Sequence, residues 1–238
     1  RQHLTRALLA ALPFPLTRAQ QHVMAEIARD LAKPHPMQRL LQGDVGSGKT
    51  VVAALAALQA IENGFQAAIM APTEILAEQH YRKLSAWLAP LGLKVVWLAA
   101  SLPKKEKQAA LAAVAAGDAQ LAIGTHALFQ EQVAFRNLGL AIIDEQHRFG
   151  VHQRLALRRK GAQPHQLMMS ATPIPRTLSM SYYADLDVSV IDELPPGRTP
   201  VVTKLVGDRR RDEVVARVRD ACLNGRQAYW VCPLIEES

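Results

Sequence analysis

Gly43-Asp44-Val45-Gly46-Ser47-Gly48-Lys49-Thr50 decides how this chain is read. A glycine, four residues, a second glycine, a lysine and a hydroxyl residue form the pattern of a phosphate-binding loop. The flanks agree with it: residues 37–42 are an apolar run of strand length, and residues 51–61 are rich in Ala and Leu and stop at Asn63-Gly64, a helix-ending pair. Strand, loop and helix follow in the required order. Phosphate oxygens must be met by inward-pointing backbone N–H groups, and only glycine permits so tight a turn and so close an approach. The helix N-terminus adds partial positive charge, Lys49 brings a point charge to the β- and γ-phosphates, and the Thr50 hydroxyl is a candidate Mg²⁺ ligand. Residues 43–50 are thus expected to hold Mg-nucleotide, the plainer alternative being a glycine-rich turn that matches by chance.

Working outward, the chain has 238 residues, 49% of them hydrophobic, enough for a full core in one large α/β domain or one domain with part of another. No apolar run approaches the roughly 20 residues of a membrane span, and no signal peptide opens the chain. Two cysteines, Cys222 and Cys232, are too few for a disulfide framework. The expected location is the cytoplasm, with both thiols packed in a core. A net charge of +7 and a pI near 9.7 favour an anionic partner, most commonly nucleic acid. The start at Arg1 and the stop after a strand-like run read as an excised piece of a longer protein.

Strands are expected over residues 37–42, 66–71, 94–98, 120–124, 138–143, 166–170 and 188–191. Helices are expected over 4–12, 17–31, 51–61, 73–88, 103–116, 148–160 and 175–183. Thr17 is placed as an N-cap. Such alternation predicts a mostly parallel sheet covered by helices on both faces, with ligands at the carboxyl ends of the strands. The Pro-rich stretch 193–200 then reads as a linker. Beyond it a further strand, helix and strand are expected over 201–206, 208–223 and 227–232. The domain organisation is accordingly a connecting segment 1–16, a first lobe 17–192, the linker, and the start of a second lobe at 201–238.

Residues 140–145 form an apolar strand that delivers two adjacent carboxylates, Asp144 and Glu145. With a phosphate loop upstream, Asp144 is expected to hold Mg²⁺ and Glu145 to accept a proton from the attacking water. An exposed acidic strand end is the plain alternative. These acids continue as Gln146-His147, and there the chain resembles the superfamily 2 helicases with an Asp-Glu-x-His box. Ala71-Pro72-Thr73-Glu74, Gly124-Thr125-His126 and Ser170-Ala171-Thr172 resemble that family's motifs Ia, Ib and III in order and spacing. Thr17 with Gln20 resembles its adenine-recognising Q motif. Within the family the match is nearest to translocases of branched DNA that remodel stalled replication forks.

The resemblance implies a RecA-like P-loop NTPase lobe plus the beginning of a second such lobe, using ATP and Mg²⁺ on branched or forked DNA without reading its sequence, in recombination and repair, as a monomeric motor. It assigns Gln20, Gly43, Asp44, Val45, Gly46, Ser47, Gly48, Lys49 and Thr50 to the nucleotide, with Lys49, Asp144 and Glu145 catalytic and Thr50 and Asp144 on the metal. Gln146, His147, Ser170 and Thr172 are assigned to coupling, and Thr73, Thr125 and His126 to DNA phosphates. Because arginine fingers belong to the second lobe, this piece by itself is expected to bind ATP but hydrolyse it slowly. The basic run Arg148, Arg154, Arg158, Arg159 and Lys160 is read as a solvated face or a further DNA contact, and Trp87, Trp97 and Trp230 as core. The competing readings are another P-loop ATPase, such as a transporter motor or small-molecule kinase, a superfamily 2 translocase acting on duplex DNA, and a nucleotide-gated binding module without catalysis.

Overall fold

Seven strands pair in parallel into one sheet in the computed structural model, which describes residues 3–129, 133–144, 163–172, 186–193 and 199–232. They are β1 (Gln38–Gly43), β2 (Gln66–Met70), β3 (Val95–Leu98), β4 (Leu121–Gly124), β5 (Leu138–Asp144), β6 (His165–Ser170) and β7 (Asp187–Ile191). Their order across the sheet is β3-β4-β2-β5-β6-β1-β7. Every residue of β2 and β4 is buried, as the central strands of a parallel sheet must be when both faces are covered. The expected helices over 148–160 and 175–183 lie outside the described residues.

Alternation along each strand sorts side chains into two cores. Ala67, Ile69, Leu140, Ile142, Leu167 and Met169 face one layer, while Ala68, Met70, Ala141, Ile143 and Met168 face the other. The first layer is built from α1 (His3–Ala11), α2 (Arg18–Leu31), α3 (Lys49–Glu62) and α4 (Glu74–Leu88), and α5 (Lys104–Ala116) contributes Ala113 and Val114 to the second. α3 is buried almost all round, from Val51 to Leu58, because α1, α2 and the sheet enclose it. That explains why its sequence is apolar without a polar stripe. Each large side chain there contributes about 1.5–3 kcal/mol by burial. α1 joins the same core through Leu8, and the Thr5 hydroxyl and N–H donate to Glu62 of α3.

α2 begins where its sequence signals. The Thr17 hydroxyl accepts the Gln20 N–H and the Gln20 side chain accepts the Thr17 N–H, a complete capping box. At the other end of α2 lies a buried polar knot. Asp30 accepts from Arg39 of β1 at 2.8 Å and from Lys33 at 2.7 Å, and Arg39 also donates to Ser189 of β7 at 2.9 Å. Burial raises the Asp30 pKa, but the hydrogen bonds from Lys33 and Arg39 outweigh it and hold the carboxyl below its ordinary range.

The chain divides into two compact units, residues 1–196 and 197–238. In the second, a 3-10 turn at Asp208–Arg210 leads into α6 (Arg211–Leu223). The strands expected over 201–206 and 227–232 do not form. Both segments are irregular and exposed, with Val201 at 84% and Val231 at 91% of full accessibility. A strand needs a partner and a covering layer, and among the described residues these segments have neither. The same lack corrects the core expectation for Cys222, Cys232 and Trp230, all of which are exposed. Trp97 and Trp87 are half-buried, the first stacked on Tyr81 with ring centroids 6.0 Å apart, the second packed on the core beneath the Lys83 ammonium.

Candidate functional site

All the described candidate residues except Gln20 collect at the carboxyl edge of the sheet, because every strand is parallel and each motif follows a strand. β1 ends at Gly43 and α3 begins at Lys49, so residues 44–48 make the whole turn. Gly46 and Gly48 take it through φ of 81° and 91°, the left-handed region that costs glycine nothing. The Ser47 N–H donates to the Asp44 carbonyl at 3.0 Å, and the Val45 N–H to the Asp44 carboxylate at 2.7 Å. The Lys49 ammonium donates to the carbonyls of Gly43 and Asp44 at 2.5 and 3.0 Å, folding back over the loop. Ser47 is buried against Gly43, and among the described residues its Oγ has no hydrogen-bond partner. Asp44, Val45 and Gly46 are exposed, while Lys49 and Thr50 are half-buried.

Gln20 reaches this loop from the first turn of α2. Its Oε1 belongs to the capping box and its Nε2 donates to the Ser47 carbonyl at 2.8 Å. With a residual exposure of 5%, its amide is engaged inside the chain. The fit is close enough that a Cβ on Gly48 would stand 2.1 Å from Gln20 Nε2. Sequence reasoning, which assigned Gln20 to adenine, did not foresee this brace.

Strand register sets the next neighbours. β6 lies between β5 and β1, pairing Met169 with Asp144 on one side and Ser170 with Gln42 on the other. Ser170 therefore sits between the carboxylate strand and the residue that precedes Gly43. Its Oγ accepts the Thr172 N–H at 3.2 Å and lies 3.0 Å from the Thr172 hydroxyl, while Gln42 donates to the Thr172 carbonyl at 3.4 Å. Ser170 and Thr172 are thus one turn, joined to β1 just before Gly43. Glu145, Gln146, His147 and the basic run from Arg148 to Lys160 lie outside the described residues.

The other half of the edge belongs to β3, β4 and β2. Thr73 is exposed and caps α4, its Oγ1 accepting the Leu76 N–H at 3.3 Å. Glu74 clasps the loop after β3, accepting from the Ala100 N–H and the Ser101 hydroxyl, both at 2.9 Å. The Ser101 hydroxyl, first among these donors, holds the Glu74 carboxyl below the usual range. Thr125 is buried and receives the Leu128 N–H on its carbonyl, whereas His126 is exposed at the start of a 3-10 turn. Thr73, Ser101 and His126 therefore crown three adjacent strands.

One contact joins the halves. His80, on α4, places Nε2 2.7 Å from Asp144 Oδ2, with the side chains 11% and 15% exposed. The sequence motifs give His80 no role, although it lies seven residues after Thr73, two turns along one helix face. A cavity of about 530 Å³ opens at the opposite edge of the sheet, among residues including His35, Phe65, Asn137 and His165. None of the described site residues lines it.

A family model described as DEAD/DEAH box helicase matches residues 17–181. The chain is 63% identical to the ATP-dependent DNA helicase RecG of Escherichia coli O127:H6 and 61% identical to that of Haemophilus influenzae, over 99% of its own length and 35% of theirs. A solved structure of RecG bound to a three-way DNA junction matches with a TM-score of 0.87 at 46% identity, covering 99% of this chain and 32% of that one. The chain thus spans about a third of the length of these relatives.

Proposed function

The chain belongs to the DEAD/DEAH box helicase family, and from that premise we propose that it is the ATP-binding motor lobe of a DNA translocase similar to RecG, acting on branched DNA. The observation that carries the reading is the turn of residues 43–50. Its two left-handed glycines, its helix N-terminus and its lysine occupy the carboxyl edge that also holds Asp144. The relatives named for ATP-dependent DNA helicase activity, and a relative solved on a DNA junction, support the choice of ATP and of branched DNA.

The residues fit Mg-nucleotide in chemistry. Backbone N–H groups at the start of α3 and the Lys49 ammonium meet phosphate oxygens, the ammonium exchanging the carbonyls of Gly43 and Asp44 for a stronger anionic partner. Gln20, engaged by Thr17 and Ser47, acts on the nucleotide by holding the loop in shape. The Thr50 hydroxyl and the Asp144 carboxylate are hard oxygen donors of the kind that would hold Mg²⁺. The metal, when bound, neutralises charge that develops on the transferred phosphoryl group. Glu145 is the base that accepts a proton from the attacking water. Ser170 and Thr172 couple the nucleotide to DNA through the turn they share with Gln42. Thr73 and His126 offer phosphate contacts without base readout, with Thr125 shaping the turn from which His126 projects.

The test combines nucleotide and DNA. Mg-ATP at 100 times its dissociation constant should stabilise the protein by about 2.7 kcal/mol, and Lys49→Ala should abolish that gain with the apo melting temperature nearly unchanged. Forked DNA should bind with steep salt dependence and little sequence preference. An undiminished thermal shift in the variant would place the nucleotide elsewhere and overturn the reading.

A further inference from the structure

We propose that His80 is a positioning residue that holds the Asp144 carboxylate in its metal-binding pose and transmits to it the DNA-engaged position of α4. The inference rests on the assignment of Asp144 to Mg²⁺ and of Thr73 to DNA, and extends it to a residue that neither assignment includes.

The contact itself defines the chemistry. A carboxylate can only accept, so Nε2 carries the proton and donates it to Oδ2 at 2.7 Å. Both side chains are more than four-fifths covered, which limits competition from water. A donor fixed on one oxygen orients the carboxyl plane and turns the second oxygen to a metal shell. Hydrogen-bond partners of metal ligands act in this way, and their loss costs 10- to 100-fold in metal affinity.

The helix that carries His80 has its other end on the DNA half of the site. α4 is capped by exposed Thr73, its first residue Glu74 grips the loop after β3, and Ala77, Leu84 and Leu88 are fully buried in the core beneath it. From Thr73 to His80 is seven residues, roughly 10 Å along a continuous helix. Such a rod moves as a unit, so a displacement at its capped end appears at Nε2. β2, which leads into α4, is the strand directly beside β5, which ends in Asp144. The helix therefore spans the seam between the two halves of the edge.

The experiment measures the Mg²⁺ dependence of nucleotide binding in the full-length protein that carries this chain. A fluorescent ATP analogue is titrated first in EDTA and then across Mg²⁺ concentrations, with and without forked DNA. His80→Leu fills the space without a donor, and His80→Gln restores an N–H near the Nε2 position. The expected result for His80→Leu is an unchanged affinity in EDTA, a Mg²⁺ midpoint raised at least about 10-fold, and loss of the midpoint decrease that DNA causes in the wild type. His80→Gln should recover most of each effect. A smaller midpoint shift in His80→Leu, a His80→Gln variant no better than His80→Leu, or a wild-type midpoint indifferent to DNA would each overturn the proposal. Asp144→Asn separates the two levels of inference: if it too leaves the Mg²⁺ midpoint unmoved, the metal assignment of Asp144 fails, and not merely the role of His80.

Discussion

Replacing Arg39 with methionine removes the cation at the centre of the knot that fastens α2 to β1 and β7. Arg39 is 8% exposed, donates to Asp30 and Ser189, and lies 3.7 Å from Glu26 and 3.8 Å from Asp187. Breaking a buried ion pair by deleting one partner costs about 3–5 kcal/mol, because the other charge stays buried without compensation. Here Lys33 remains on the second oxygen of Asp30 at 2.7 Å, with its side chain 47% exposed, so the cost should fall to about 2–3 kcal/mol. A protein of this size would lose roughly 4–12 °C in melting temperature. Urea denaturation is the assay, with a lower midpoint at unchanged slope. Arg39→Met combined with Asp30→Leu should recover at least half of the loss, since an apolar pair replaces both charges. The pH dependence has a definite sign. The folded Asp30 pKa lies below its ordinary value of 3.8, so the knot's contribution is present above that value and is lost as pH falls through the folded pKa. A single variant within about 1 kcal/mol of wild type, or a double variant equal to the sum of the singles, would refute the argument.

Three further outcomes follow from the same contacts. Gly48→Ala forces a side chain into φ of 91° and against Gln20, and should lower stability by about 1–3 kcal/mol while abolishing the ATP-induced thermal shift. Gln20→Glu deletes the donor to the Ser47 carbonyl and should weaken ATP and GTP binding alike; a loss confined to ATP would show that the amide reads the base directly. Burial first, and then His35, push the His165 pKa below 6.5. The folded state therefore favours neutral imidazole, whose Nδ1 accepts the Met37 N–H at 2.8 Å. Stability from this group is complete above 6.5 and is lost as pH falls from there through the lower folded value. His165→Asn, which keeps an acceptor but does not titrate, should flatten the urea midpoint between about pH 7 and 5.

Local torsion and periodicity are written in the sequence, and what depends on them was legible there. The spacing of Gly43, Gly48, Lys49 and Thr50 predicts the turn, and Gly48 does take the left-handed conformation. Thr17 and Gln20, three residues apart, fix the start of α2, and apolar runs locate all seven described strands of the sheet to within about two residues. The alternation of strands and helices sufficed for a parallel sheet, because parallel strands require crossovers. Pattern failed over 201–206 and 227–232, where apolar runs are present but, among the described residues, no partner strand covers them. It was also silent about residues far apart in the chain. Gln20 meets Ser47 across 27 positions, His80 meets Asp144 across 64, and Arg39 meets Ser189 across 150. Which of these meet depends on the order β3-β4-β2-β5-β6-β1-β7. That order is chosen by how whole helices and strands bury one another, a sum over the entire core that no short window of sequence contains. The sequence by itself determined that the glycine-rich turn of residues 43–50 and a carboxylate would share one edge; only the tertiary structure decided that Gln20 would meet the turn at Ser47 and that His80 would meet Asp144.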